Sequence, residues 1–404
     1  MSNRTSSNLA RTLLTIAPLL ALSHSAQAQA FTVLYNFSYS QGGINPYGTL
    51  LLRDGILYGT TIQGSANSTC QREEETCGTV FEFNLASRVE TVRHNFAGPP
   101  DGGSPYAGLR RDAAGNLYGT TNTGGTDDDG TVFRIDPAGT ESVLYSFIGT
   151  NGDGAWAGVV PDSNGNLYGA TLGTTLGSRL GTVFKLHPAG DLTTLRRVGA
   201  VIGTLLLKDG ELYGASIGAG AYNAGTVFRV NAETGKLTVL YNFTGGADGG
   251  IPTGSLISDP SGNLYGTATC GGSASCSGGN GVVFMLNPHT GQQTVLYAFA
   301  GAPDGTQPQG QLARDSNGNL YGATASGGEN LCNGGTVGCG TVFELTPPAL
   351  EGGAWAETVL HNFTGDDGYG PLGGLTLDAQ GHLYGAAFWG GTSRGTGTLF
   401  EVTP

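Results

Sequence analysis

One tripeptide, Leu-Tyr-Gly, recurs seven times along the chain, with its tyrosine at positions 58, 118, 168, 213, 265, 321 and 384. The tyrosines stand 45 to 63 residues apart. A period near 50 with no helical pattern is the mark of propeller blades. Each copy carries four strand signals in the same order. Strand a is Gly-x-Leu, as at Gly48-Thr49-Leu50. An Asp-x-x-Gly-Asn turn follows, as at 112–116, and strand b is Leu-Tyr-Gly-Thr-Thr or a close variant. A longer Gly-rich loop leads to strand c, Gly-Thr-Val-Phe, as at 130–133. A second tight turn, Asp136-Pro137-Ala138-Gly139, leads to strand d, Val-Leu-Tyr-Ser-Phe at 143–147. Val, Tyr, Phe and Thr favour strands, whereas Gly, Pro, Asp and Asn break them into turns. The 72 glycines therefore sit at fixed points of a repeat and do not signal disorder.

The two ends of the repeat array are incomplete in complementary ways. A lone strand d, Val33-Leu34-Tyr35-Asn36-Phe37, precedes the first full copy, and a lone strand c, Gly397-Thr398-Leu399-Phe400, closes the last. Pairing them completes the seventh copy and removes the exposed edges that invite aggregation. The expected fold is all-β: a seven-bladed β-propeller of four-stranded antiparallel blades spanning residues 31–404, closed by the N-terminal strand.

Residues 1–30 read as a secretory signal. Arg4 and Arg11 form a basic start, and an apolar run covers 13–22. Two Ala-Gln-Ala patterns then end at Ala28 and Ala30. Ten apolar residues are too few to span a bilayer, and no other run approaches spanning length. The formal charge is −13, and loss of the leader takes it to −15. With no basic patch, nucleic acid is not an expected partner.

The repeat resembles the bacterial choice-of-anchor tandem repeat GloVer-containing proteins. The matching residues are Gly115-Asn116-Leu117-Tyr118-Gly119-Thr120-Thr121, Gly124-Gly125, the run 130–137 (Gly-Thr-Val-Phe-Arg-Ile-Asp-Pro) and strand d at 143–147. The resemblance covers nearly all of the chain after the leader. It implies an exported protein and brings no reaction with it. Many such proteins end in a surface-anchoring signal, but this sequence stops at Pro404, directly after the last repeat. Release outside the cell or into the periplasm is the expectation.

The six cysteines fall as three local pairs, Cys70 with Cys77, Cys270 with Cys276 and Cys332 with Cys339, each in a b–c loop. An exported chain meets an oxidising compartment, so three disulfides are expected. The rival reading, a metal site, lacks pooled ligands.

In an up-and-down blade the short a–b and c–d turns share one face, and the variable b–c and d–a loops share the other. Function belongs on the variable face, at the mouth of the central channel. Strand a is preceded there by a variable slot, filled in chain order by Tyr47, Tyr106, Trp156, Ile202, Thr253, Gln309 and Leu372. The three aromatics should form an arc, either as a stacking platform for sugar rings or as packing between blades. Trp389, in the last b–c loop, belongs to the same face. Asp101, Asp153, Asp248, Asp304 and Asp367 each begin an Asp-Gly pair in a d–a loop, and Asp127 opens an acidic run. These pairs read first as turns, with Ca²⁺ binding around the rim as the alternative; no other cofactor is expected. Arg196 and Arg197 replace the usual strand-d ending, which suggests a deleted loop and an opening toward an anionic ligand. None of the histidines falls on the variable face by this count. Three functional readings follow. One is a monomeric binding scaffold for a carbohydrate or an extracellular protein. The second is a secreted polysaccharide hydrolase or lyase working with carboxylates, Tyr and Arg. The third is a structural envelope protein.

Overall fold

The computed structural model describes residues 29–39, 42–64, 77–173, 180–335, 337–350, 352–392 and 395–404. Residues 1–28 of the expected leader and Cys70 lie outside the described residues, while Ala30 opens the N-terminal strand. Seven antiparallel sheets form seven blades of a propeller, with strands a to d running from the axis outward. The first blade is Leu51–Arg53, Ile56–Gln63, Thr79–Asn84 and Val89–Asn95, and the second is Arg110–Arg111, Leu117–Thr121, Thr131–Ile135 and Glu141–Ser146. The third to sixth follow the same plan around strands b at Leu167–Ala170, Glu211–Ser216, Leu264–Ala268 and Leu320–Ser326. The seventh joins Thr376–Leu377, Leu383–Ala387 and Thr398–Thr403 to the N-terminal strand Ala30–Asn36. Val33 faces Phe400 across that closing pair, and Asn36 faces Thr398. The two half-blades of the sequence thus make one sheet.

Each repeated residue has a packing reason. In Leu-Tyr-Gly the glycine seats the phenylalanine of strand c. A methyl on Gly119 would stand 2.5 Å from Phe133 Cζ, and one on Gly169 would stand 2.5 Å from Phe184 Cζ. The tyrosine hydroxyl donates to the aspartate of the preceding a–b turn, as from Tyr118 to Asp112 Oδ2 at 3.0 Å and from Tyr265 to Asp259 Oδ2 at 3.0 Å. The same aspartate accepts from the Asn116 backbone and side chain, at 2.9 and 2.7 Å. One carboxylate therefore fixes the turn and the strand that leaves it. Against the reading of Gly-x-Leu as a strand, strand a begins just after it in most blades. At this radius the backbones of neighbouring blades touch: a methyl on Gly48 would meet Gly108 N at 2.4 Å.

Blades are locked by edge-to-face phenylalanine pairs. Phe37 of the N-terminal segment meets Phe81 of the first blade at 5.1 Å, Phe96 meets Phe133 at 5.1 Å and Phe363 meets Phe400 at 5.2 Å. All are fully buried. A register shift falls between the Val and Phe of strand c where it pairs with strand d, as at Val132/Phe133 and Val283/Phe284. Such bulges raise the local twist and swing the outer strand round the ring.

Two disulfides are present among the described residues, Cys270–Cys276 and Cys332–Cys339, both in b–c loops. Cys77 is buried, and its expected pairing with Cys70 lies outside the description. No helix among the described residues is long and apolar enough to cross a membrane.

Candidate functional site

All seven slot residues converge on the axis. Tyr47, Tyr106, Trp156, Ile202, Thr253, Gln309 and Leu372 line one small, shallow pocket at the channel mouth. The fold explains this: strand a is innermost, so a residue just before it in every copy must ring the axis. The pocket has two halves. The first three blades supply the aromatics, while Thr253 and Gln309 present a hydroxyl and an amide across from them. Thr253 Oγ1 is shielded from solvent and has no hydrogen-bond partner.

The aromatics are half-buried, and rings from successive blades pack on one another at the pocket. Trp156 stacks on Tyr106 with centroids 4.3 Å apart, and Tyr106 meets Tyr47 edge-on at 5.2 Å. Tyr47 then touches Phe388 at 5.8 Å, Phe388 touches Trp389 at 4.4 Å, and Trp389 stacks on Tyr369 at 5.4 Å. Six rings thus form one continuous ribbon, from the axis out over the seventh blade. Trp389, next to the outer end at Tyr369, is 39% exposed. Trp156 Nε1 donates to Asn122 Oδ1 at 2.8 Å, which holds its ring in place. Phe388 and Tyr369 escaped the sequence reading, although Phe388 adjoins Trp389 and Tyr369 follows an Asp-Gly pair. Burial, and then Tyr106, push the Tyr47 hydroxyl up to about 12, so it stays a neutral donor. Among the described residues no carboxylate, histidine, lysine or arginine lines the pocket. The lining can stack on a ligand and hydrogen-bond to it.

The other expected residues lie elsewhere. Arg196 and Arg197 do not open the rim. Strand d of the third blade runs on through them as Leu192–Gly199, pairing them with Val183 and Thr182. Both are exposed on this outer strand, and Arg197 Nη2 donates to Thr150 O at 3.0 Å. The rim aspartates do not converge either, because sevenfold repetition spreads them round the ring. Asp248 accepts from Thr244 N at 2.8 Å and Tyr241 OH at 2.9 Å, and Asp304 accepts from Ala300 N at 2.8 Å and Tyr297 OH at 3.1 Å. Asp367 accepts from Thr364 N at 2.8 Å and pairs with His361 at 2.9 Å. Each closes its own loop. Asp153 is buried and Asp127 is exposed. Asp101 alone joins a group of three metal-ligating side chains among the described residues, with His94 and Glu141. The expectation that no histidine serves the variable face is corrected here. His94 and His361 start on strand d but reach the d–a loops, at 3.2 Å from Asp101 and 2.9 Å from Asp367. The six- or seven-residue spacing from each His or Tyr to its aspartate was the available signal.

Between the fifth and sixth blades, burial and then Asp304 push the Glu357 carboxyl up to about 7. Folded Glu357 therefore keeps its proton where the unfolded chain has released it. The stability this contributes is complete below about pH 4.5 and is lost as pH rises through about 7. We expect a decline of about 1 kcal/mol between pH 5 and 8, after allowing for solvent screening. Urea unfolding across that range measures it, and Glu357→Gln should flatten the decline. An unchanged slope would show that the carboxyl is not protonated.

The family described as Gloeobacter/Verrucomicrobia repeat matches residues 21–153, 67–204 and 197–337. No curated protein matches the sequence. Among solved structures, the oligogalacturonate lyase of Vibrio parahaemolyticus is 12% identical with a TM-score of 0.57, each chain covered to 94%. An oligogalacturonate lyase in complex with manganese is 12% identical with a TM-score of 0.54, again 94% of each. The extracellular domain of a putative hybrid two component system from B. thetaiotaomicron is 11% identical with a TM-score of 0.52, over 93% of this chain and 41% of that one. At such identities the likeness is one of fold alone.

Proposed function

The chain belongs to the Gloeobacter/Verrucomicrobia repeat family, and from its loop face we propose that it is an exported scaffold that binds a neutral carbohydrate chain. The continuous aromatic ribbon from Trp156 to Tyr369 carries this reading. Sugar rings present apolar C–H faces that stack on aromatics, and their hydroxyls seek amides such as that of Gln309. The absence of ionisable groups other than tyrosine from the lining supports holding over cutting. The two disulfides, together with the leader pattern of residues 1–30, support export.

A screen of the mature protein against a polysaccharide panel, scoring both binding and product release, tests the proposal. Binding without product is expected. Trp389→Ala should weaken it by roughly 10- to 30-fold, the effect of removing one aromatic anchor worth about 2 kcal/mol, with Trp156→Ala acting likewise. Release of shortened products, or binding indifferent to both substitutions, would overturn it.

A further inference from the structure

The seam between the first and second blades gathers three ligand-type side chains from three segments. His94 comes from strand d of the first blade, Asp101 from the d–a loop that follows, and Glu141 from the start of strand d of the second blade. One ligand atom from each lies within 4.8 Å of the others. His94 Nε2 is already 3.2 Å from Asp101 Oδ2. Donor atoms about 2.0–2.1 Å from a tetrahedral ion stand about 3.3 Å apart, so this pair has ligand spacing and Glu141 needs only a small approach. Ala97 N donates to Asp101 Oδ2 at 2.9 Å, which fixes the carboxylate in its loop.

Two further carboxylate oxygens at this seam, Asp101 Oδ1 and Glu141 Oε1, are shielded from solvent and have no hydrogen-bond partner. Among the described residues no lysine or arginine pairs with either carboxylate. Burying oxygens of this kind unpaired is costly, and a bound cation removes the cost. We propose that His94, Asp101 and Glu141 bind a divalent transition-metal ion, at a site separate from the aromatic ribbon. One imidazole nitrogen with two carboxylates suits Zn²⁺ or Mn²⁺. Ca²⁺ asks for six or more oxygens and does not fit.

Two other seams provide controls. Between the fifth and sixth blades Asp304 and Glu357 recur, with Asp304 Oδ1 and Glu357 Oε1 likewise unpartnered, but Tyr297 stands in the histidine's place. Between the sixth and seventh, His361 and Asp367 recur, but Phe31 stacks on the imidazole at 3.6 Å. Among the described residues the three ligand types meet only at the first seam.

The experiment uses the mature full-length protein, stripped by chelator and titrated calorimetrically with ZnCl₂ and with MnCl₂. Thermal unfolding is followed in parallel. One equivalent should bind, and the Tm should rise with metal concentration. His94→Tyr, which copies the residue of the fifth-blade seam, and Glu141→Gln should each weaken binding more than tenfold while the chain stays folded. Glu357→Gln should leave binding unchanged. No heat and no Tm shift for either metal would overturn the proposal, and so would binding that survives both first-seam substitutions. Because the ribbon is untouched, failure here leaves the carbohydrate reading standing.

Discussion

Removal of residues 29–38 is expected to abolish the folded monomer. The deletion strips strand d from the seventh blade and leaves Thr398–Thr403 as an open edge. It also takes away Phe37, which is fully buried and packs at 5.1 Å on Phe81 of the first blade. Loss of one such phenylalanine costs about 3–5 kcal/mol. The missing ladder adds to that, against a total stability of about 5–15 kcal/mol. The break falls where the ring closes, so the first and seventh blades lose each other's support together, and the bare edge promotes aggregation. Size-exclusion chromatography and far-UV circular dichroism of the truncated chain check this. A soluble monomer with the parent's Tm would show that closure contributes nothing.

The second large effect concerns the Gly-Phe contact inside each blade. Gly169→Ala places a methyl 2.5 Å from Phe184 Cζ, with Phe184 fully buried and no room to retreat. Overpacking of this kind costs about 1–3 kcal/mol. Phe184→Ala removes the ring instead and costs about 3–5 kcal/mol. Gly169→Ala combined with Phe184→Ala should destabilise less than the two single changes added together, because removal of the ring makes room for the methyl. Residues in contact couple in this way, by about 0.5–3 kcal/mol. Urea unfolding of the four proteins measures the cycle, and strict additivity would mean that the glycine serves backbone conformation and not the ring.

The axial pocket was legible because the repeat itself aligns its lining. A slot fixed relative to Gly-x-Leu in every copy comes to the axis in every blade, so Tyr47, Tyr106 and Trp156 could be grouped without coordinates. Arg196 and Arg197 were misplaced for the complementary reason. Their segment departs from the repeat, and register there is decided by pairing with Val183 and Thr182. The aspartates show a third case. Their equivalence was visible, but equivalence in a ring means separation, and each is spent on its own loop.

Sequence alone determined the sevenfold repeat, the strand order within a blade, the closure by the N-terminal strand and the face that carries the variable loops. These follow from local signals whose period is written into the chain. Only the tertiary structure decided that Phe388, Trp389 and Tyr369 extend the arc into a ribbon, and that His94, Asp101 and Glu141 share a seam. Both groupings join different blades or loops. The distances across them depend on how tightly backbones pack at the axis and how far strand d twists outward, which no residue spacing encodes.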